Sequence, residues 1–295
     1  MEVDGHAGPA TMRGMKERPT SGTLLSRRFG LVLLHLAEEA RHDLDSLVTN
    51  PVRAVHSLRT RMKNLRSLLQ LVKPRISKPE RKAVHALARA LKDAFAVLRD
   101  AHVLAALRSK LTGRPVVVPR EKMTPQVAKR NKTAKADASR LIRTVSNLGL
   151  DGLTWAEVTE EYLQSYRAGR KAMKACKDNP TSGTFHKWRR PVKELFYQSR
   201  VLQPLDGMKS RRRSAERLGE RLGMLNDLHL LHAEAKKSRM PDVMKQIAKK
   251  ERALKPAIFK AAAKLFDERP GDIERELKRC VKFQPAIVAQ AVRQT

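Results

Sequence analysis

Apolar residues recur at three- and four-residue intervals along most of the chain. The pattern predicts helices at about 22–48, 52–73, 79–111, 121–148, 154–177, 184–203, 208–238, 242–267 and 273–292. The gaps carry residues that end helices: Asn50-Pro51, Pro74 and Pro79, Gly113 and Pro115, Asn179 to Gly183, Met240-Pro241 and Pro270-Gly271. Pro191 and Pro256 fall inside predicted helices and predict a kink or a shifted start at each. The run PVVVP at 115–119 reads as a loop between prolines, so the expected fold class is all-α.

An internal repeat divides the helices into two sets. VHSLRTRMK at 55–63 aligns with FHKWRRPVK at 185–193, an offset of about 130, and LRDAHVL at 98–104 aligns with LNDLHLL at 225–231, an offset of about 127. Two motifs in the same order at nearly the same offset predict two similar four-helix bundles related by a pseudo-twofold axis. Their expected limits are 21–150 and 151–268, followed by a terminal helix at 272–293 and preceded by a disordered tail at 1–20.

The repeated motifs place cations on one side of their helices. At about 100° per residue, with His56 at zero, Arg59, Lys63 and Arg66 fall within about 80° of it. Leu58, Met62, Leu65, Leu69 and Val72 occupy the opposite side and read as core. With His186 at zero, Arg189, Lys193, Tyr197 and Arg200 again share one stripe. The predicted third helix repeats the arrangement with Arg81, His85, Arg89, Lys92 and Arg99 over roughly 27 Å. Like charges four residues apart destabilise a helix by a few tenths of a kcal/mol per pair, so such stripes either face water or meet an anion. Arg supplies a planar fork for phosphate oxygens, Lys a point charge, and His one N–H donor that becomes two on protonation.

The total charge agrees with the stripes. There are 62 Lys and Arg against 30 Asp and Glu, a net charge of +32 with a pI of about 10.9, which points to a polyanionic partner. Only 7 Phe, 2 Trp and 3 Tyr are present, too few for a protein that grips single-stranded bases by stacking. The two cysteines, Cys176 and Cys280, make neither a disulfide framework nor a zinc motif. The first twenty residues lack an apolar signal core, and the run Leu31 to Leu36 is too short to cross a bilayer. No membrane association and a cytoplasmic location are therefore expected. Asp100 and His102, like Asp227 and His229, point about 200° apart on a helix and cannot chelate one ion, so no metal is expected. Asp100 and Asp227 read either as carboxylates that hold a neighbouring Arg or Lys in place for its ligand or as ordinary ion pairs between helices.

These motifs resemble the CHAD family, the conserved histidine α-helical domain. The resemblance covers roughly 21–290 and rests on His56-x-x-Arg59-x-x-x-Lys63-x-x-Arg66, Leu98-Arg99-Asp100, His186-x-x-Arg189-x-x-x-Lys193 with Tyr197, and Leu225-Asn226-Asp227. It implies two four-helix bundles around a basic central channel, binding of inorganic polyphosphate, no cofactor and no catalysis. Asn64 and Phe196 depart from the family pattern, each standing where a basic residue is usual, and Arg200 is a candidate substitute for the latter. Positions 208, 216 and 219 are Met, Glu and Gly, so the second half is expected to offer the weaker face; Arg213, Arg217 and Arg221 form either a displaced stripe or an exposed one.

Two functions compete. A polyphosphate chain has no bases, so a protein that binds it needs cations and donors but not aromatic rings. Non-specific nucleic-acid binding through phosphates is the alternative, and +32 supports weak binding of that kind at low salt. An enzyme is not expected, because the chain has no H-E-x-x-H, no Walker-type glycine loop and no G-x-S-x-G. Polyphosphate granules are the corresponding cellular destination.

Overall fold

A computed structural model describes residues 21–116, 124–203, 205 and 207–283, with side chains from 24 to 280. The disordered-tail expectation for 1–20, part of the 115–119 loop and the last residues of the predicted terminal helix lie outside the described residues. Within them the chain forms ten α-helices, one 3-10 turn at Lys73–Arg75 and no strand. The helices are α1 (Ser21–Asp45), α2 (Pro51–Leu71), α3 (Lys78–Asp93), α4 (Ala96–Thr112), α5 (Pro125–Ser146), α6 (Trp155–Asp178), α7 (Ser182–Val201), α8 (Met208–Lys237), α9 (Pro241–Leu265) and α10 (Pro270–Phe283).

Local chemistry sets most of the boundaries. Ser77 and Thr154 cap α3 and α6 in reciprocal capping boxes with Glu80 and Glu157, and Thr181 caps α7 with Thr184. Asn50 and Thr124 accept from the first turns of α2 and α5, each of which opens on proline. Gly113 ends α4 in the left-handed conformation, at φ 67°.

The predicted helix 79–111 is two helices. It breaks at Ala94-Phe95, where neither proline nor glycine gives a signal, and the Phe95 ring turns into the core. The break lets α4 leave α3 and lie against α8 and α9. The single 27 Å stripe from Arg81 to Arg99 therefore does not exist, because Arg99 stands on a different helix from His85, Arg89 and Lys92. The prolines act in the opposite sense, and α7 and α9 run through Pro191 and Pro256. Pro191 is buried beside the fully buried Trp188, Val192 and Leu195, so packing offsets the lost backbone bond.

One apolar cluster runs from Leu25 on α1 to Cys280 on α10 and draws on both repeat-related halves. Within the first half, α2 and α5 pack on α1, and α3 packs on both α2 and α5. Within the second, α6, α7, α8 and α9 pack in sequence, with α10 on α6. The halves meet where α2 lies on α7 and α6, and where α4 lies on α8 and α9. A smaller cluster, built from Leu228, Leu231, Ala235, Val243 and Ile247, receives Leu104, Leu107 and Leu111 of α4. Buried hydrogen bonds cross the same boundary: Gln198 Nε2 donates to the Ser67 carbonyl at 3.2 Å, and Arg28 Nη2 to the Val201 carbonyl at 2.8 Å. Among the described residues, no helix is long and apolar enough to cross a membrane.

Candidate anion-binding site

The contact of α2 with α7 turns the two repeated motifs toward one space. With α3 they enclose a cavity of about 200 Å³. α2 contributes Lys63, Arg66, Ser67 and Gln70 to its wall; α3 contributes His85 and Lys92; α7 contributes Arg189, Arg190, Lys193, Glu194 and Tyr197. Six cations thus face one carboxylate in a space roughly the size of a few phosphate groups.

Apolar anchors on the same helices hold these side chains in place. Leu58, Met62, Leu65 and Leu69 of α2 are essentially fully buried, as are Trp188, Val192 and Leu195 of α7. Burying that side of each helix presents the motif side to the cavity. Arg59 Nη1 donates to the Lys92 carbonyl at 2.7 Å and ties α2 to the end of α3. Lys92 pairs with Asp93. Tyr197 is buried at the cavity wall, its hydroxyl pushed above the ordinary phenol range by burial.

Lys63 is the centre of the charge cluster. Burial lowers its ammonium to about 7, helped by repulsion from Arg189, Arg59, Arg99 and Lys193. Burial and then Arg189 lower Lys193 as well, against opposing attraction from Glu220 and Glu216. Arg59 is lowered by burial and then by Arg99, and Arg66 by burial and then by Arg190. Arg189 is lowered by burial, and its Nε is buried without a hydrogen-bond partner among the described residues. Such a site holds concentrated positive charge that its own carboxylates leave largely uncompensated, an arrangement an entering polyanion would stabilise.

His85 has a different role from a titrating donor. Burial first, then Arg66 and Arg81, push it down to about 4, so it stays neutral near physiological pH. His85 Nδ1 lies 3.4 Å from Arg66 Nε and Nε2 lies 3.3 Å from the Gln70 amide nitrogen, so two donors face a neutral ring that accepts at only one nitrogen.

Arg99 sits beside this group on α4. Its guanidinium donates to Asp100 at 2.8 Å and to Asp227 of α8 at 3.4 Å, so both carboxylates named from the sequence meet the same arginine. The remaining candidates lie outside the cavity. His56, Arg89 and Arg200 are exposed, and exposed His186 bonds Asn226 Oδ1 through Nδ1 at 2.7 Å. Arg200 does not take up the role left by Phe196. Instead the Phe196 ring receives the Lys193 ammonium, whose Nζ is 5.2 Å from the ring centroid. Asn64 is buried, which explains why a cation would be costly at that position. Arg213 and Arg217 are exposed, in keeping with the exposed-face reading of that stripe.

Four lining residues are absent from the sequence-based set: Ser67, Gln70, Arg190 and Glu194. Gln70 and Ser67 lie within about 40° of the His56 direction, and Arg190 lies about 40° from His186, so the angular signal was present. Ser67 and Gln70 carry no charge and so do not stand out in a basic stripe. Arg190 was hidden by its neighbour Arg189. Among the described residues, no group of three His, Cys, Asp or Glu side chains could hold a metal ion.

The CHAD domain family profile matches residues 30–236, more than two thirds of the 295-residue chain. No curated protein and no solved structure matches.

Proposed function

This chain belongs to the CHAD family, and from that premise we propose that it binds inorganic polyphosphate in the cavity between α2, α3 and α7, without catalysing a reaction. CHAD domains are associated with polyphosphate or triphosphate binding. The observation that carries the reading is the convergence of Lys63, Arg66, Lys92, Arg189, Arg190 and Lys193 on one space, with Glu194 the one carboxylate among the lining residues. A polyphosphate chain carries about one charge per phosphate and hydrogen-bond acceptors on every unit. Guanidinium forks and ammonium groups match both, whereas rings to stack bases are scarce. Arg59 and Arg99 would extend the contact beyond the cavity, with Asp100 and Asp227 orienting Arg99. The same binding would carry the protein to polyphosphate granules.

The reading includes two pseudo-symmetric bundles, at 21–150 and 151–268, with 272–293 as a terminal helix; the expected four helices hold for the second, while the first has five among the described residues because α3 and α4 together stand where the second has α8. Its support is that two repeat-equivalent pairs, α2 with α7 and α4 with α8, pack on each other, as elements beside a twofold axis do.

The deciding experiment is a competition for the protein between long-chain polyphosphate and duplex DNA at equal phosphate concentration near physiological salt. Polyphosphate should win, and replacing Arg59 and Lys63 by Glu should weaken its binding far more than the same change at exposed Arg213 and Arg217. A preference for DNA would favour the nucleic-acid reading, and equal losses from the two double variants would overturn the assignment of the cavity.

A further inference from the structure

α7 and α8 run antiparallel in a constant register in which His186 faces Asn226, Arg189 faces Gly223 and Lys193 faces Gly219. Three motif residues of α7 thus lie against α8, and two of the positions beneath them are glycines. Both glycines are buried in mid-helix, where glycine is the poorest helix former after proline. Both have ordinary helical backbone, not the left-handed conformation that favours glycine. Close approach is therefore the remaining reason for them.

The two positions differ in how close that approach is. A Cβ on Gly219 would stand 3.1 Å from Lys193 Cε, 3.2 Å from Cδ and 3.3 Å from Nζ, tighter than side chains normally pack. A Cβ on Gly223 would meet Arg189 Nη2 at 3.5 Å and Nε at 3.6 Å, which is ordinary contact. Lys193, a lining residue of the cavity, lies between the bare Gly219 backbone and the Phe196 ring.

We propose that Gly219 is a positioning residue for anion binding: its missing side chain is the bed on which the Lys193 stem lies, and this bed aims the ammonium into the cavity. The proposal rests on the polyphosphate reading of that cavity and adds a determinant on a helix that does not line it. It also gives a reason for the asymmetry seen in the sequence. The repeat-equivalent of Gly219, 127 residues earlier, is Lys92, itself part of the cavity wall. The second half gives up a cation on α8 and uses the space to seat a cation from α7.

The test is a polyphosphate titration of wild type, Gly219→Ala, Gly223→Ala, Lys193→Met and the Gly219→Ala/Lys193→Met double variant, with thermal melting of each. Gly219→Ala should weaken binding by about threefold to tenfold, the loss expected when one charged hydrogen bond is misaligned. Gly223→Ala should lose less, although both changes favour the helix and should hold Tm or raise it by about 2 °C. In the Lys193→Met background, Gly219→Ala should have no further effect on binding, because the ammonium it displaces is gone while the stem remains. Undiminished binding by Gly219→Ala, or an equal loss in both backgrounds, would overturn the proposal. The double variant decides the matter even if Ala at 219 disturbs folding, since that loss would appear in both backgrounds. Wild type that fails to bind polyphosphate would instead remove the functional reading itself.

Discussion

Polyphosphate binding should be coupled to proton uptake at Lys63. Its ammonium is lowered to about 7 in the free protein by burial and by Arg189 and Lys193 of α7, Arg59 of α2 and Arg99 of α4. A bound phosphate chain reverses the sign of the local potential and restores the protonated form. Only the protonated fraction of the free protein is then ready to bind, so affinity rises as pH falls through about 7 and levels off below about 6. With a free-state value of about 7, roughly a quarter of Lys63 is protonated at pH 7.5 and about one hundredth at pH 9, which predicts about a twentyfold loss of affinity across that window. The lowered Lys193 acts in the same direction. The window lies above the range in which ordinary imidazoles titrate. The assay is calorimetric titration with long-chain polyphosphate at constant ionic strength, from pH 7.5 to 9, in two buffers of different ionisation enthalpy. The buffer difference should report about three quarters of a proton taken up at pH 7.5. Lys63→Arg keeps the cation charged throughout and should flatten the profile. A wild-type affinity that is level across the window, or a Lys63→Arg profile as steep as wild type, would refute the reasoning.

Three further outcomes follow from the geometry. Asp227→Asn makes the chain more positive, yet it should weaken polyphosphate binding by about twofold to fivefold because Arg99 loses the carboxylate across α4 and α8; tighter binding would show that Asp227 is only an opposing charge. Arg211, 5% exposed, binds Glu268 and Glu276 and joins α8 to α10 and the segment before it, so Arg211→Met should lower the unfolding free energy in urea by about 2–3 kcal/mol, an estimate reduced because Glu268 is nearly half exposed. Leu65→Ala removes a fully buried side chain from the motif helix α2 and should lower stability by about 2–4 kcal/mol in the same assay.

Helix content was legible in the sequence because helix formation is governed by local spacing and by caps. The apolar periodicity of α2 and α7, the Ser77 and Thr154 boxes and the terminal Gly113 all act within a few residues of chain. The repeated His-x-x-Arg-x-x-x-Lys stripes were legible for the same reason, since an angle on one helix needs no partner. Five residues of those stripes, Lys63, Arg66, Arg189, Lys193 and Tyr197, line one cavity in the fold.

Other features depended on which helix met which. The break at Phe95 has no local marker; with it the ring is buried, α4 packs on α8 and α9, and Arg99 leaves the α3 stripe. The neutrality of His85 comes first from burial, then from Arg66 and Arg190 of other helices and Arg81 and Arg89 of its own. The low ammonium of Lys63 comes first from burial, then from Arg189, Arg99 and Lys193 of other helices and Arg59 of its own. The burial and the cations of other helices are not contained in any single-helix angle. Arg190, Ser67 and Gln70 became wall residues only when α2, α3 and α7 closed on one another. Gly219 shows the limit most clearly. In the sequence it was a gap in a basic stripe, and in the fold it is the surface on which a lysine from the neighbouring helix lies. The chain's own pattern determined helices, faces and a surplus of positive charge. Tertiary packing decided where that charge concentrates, because electrostatic repulsion and desolvation depend on distances between helices and not on spacing along one.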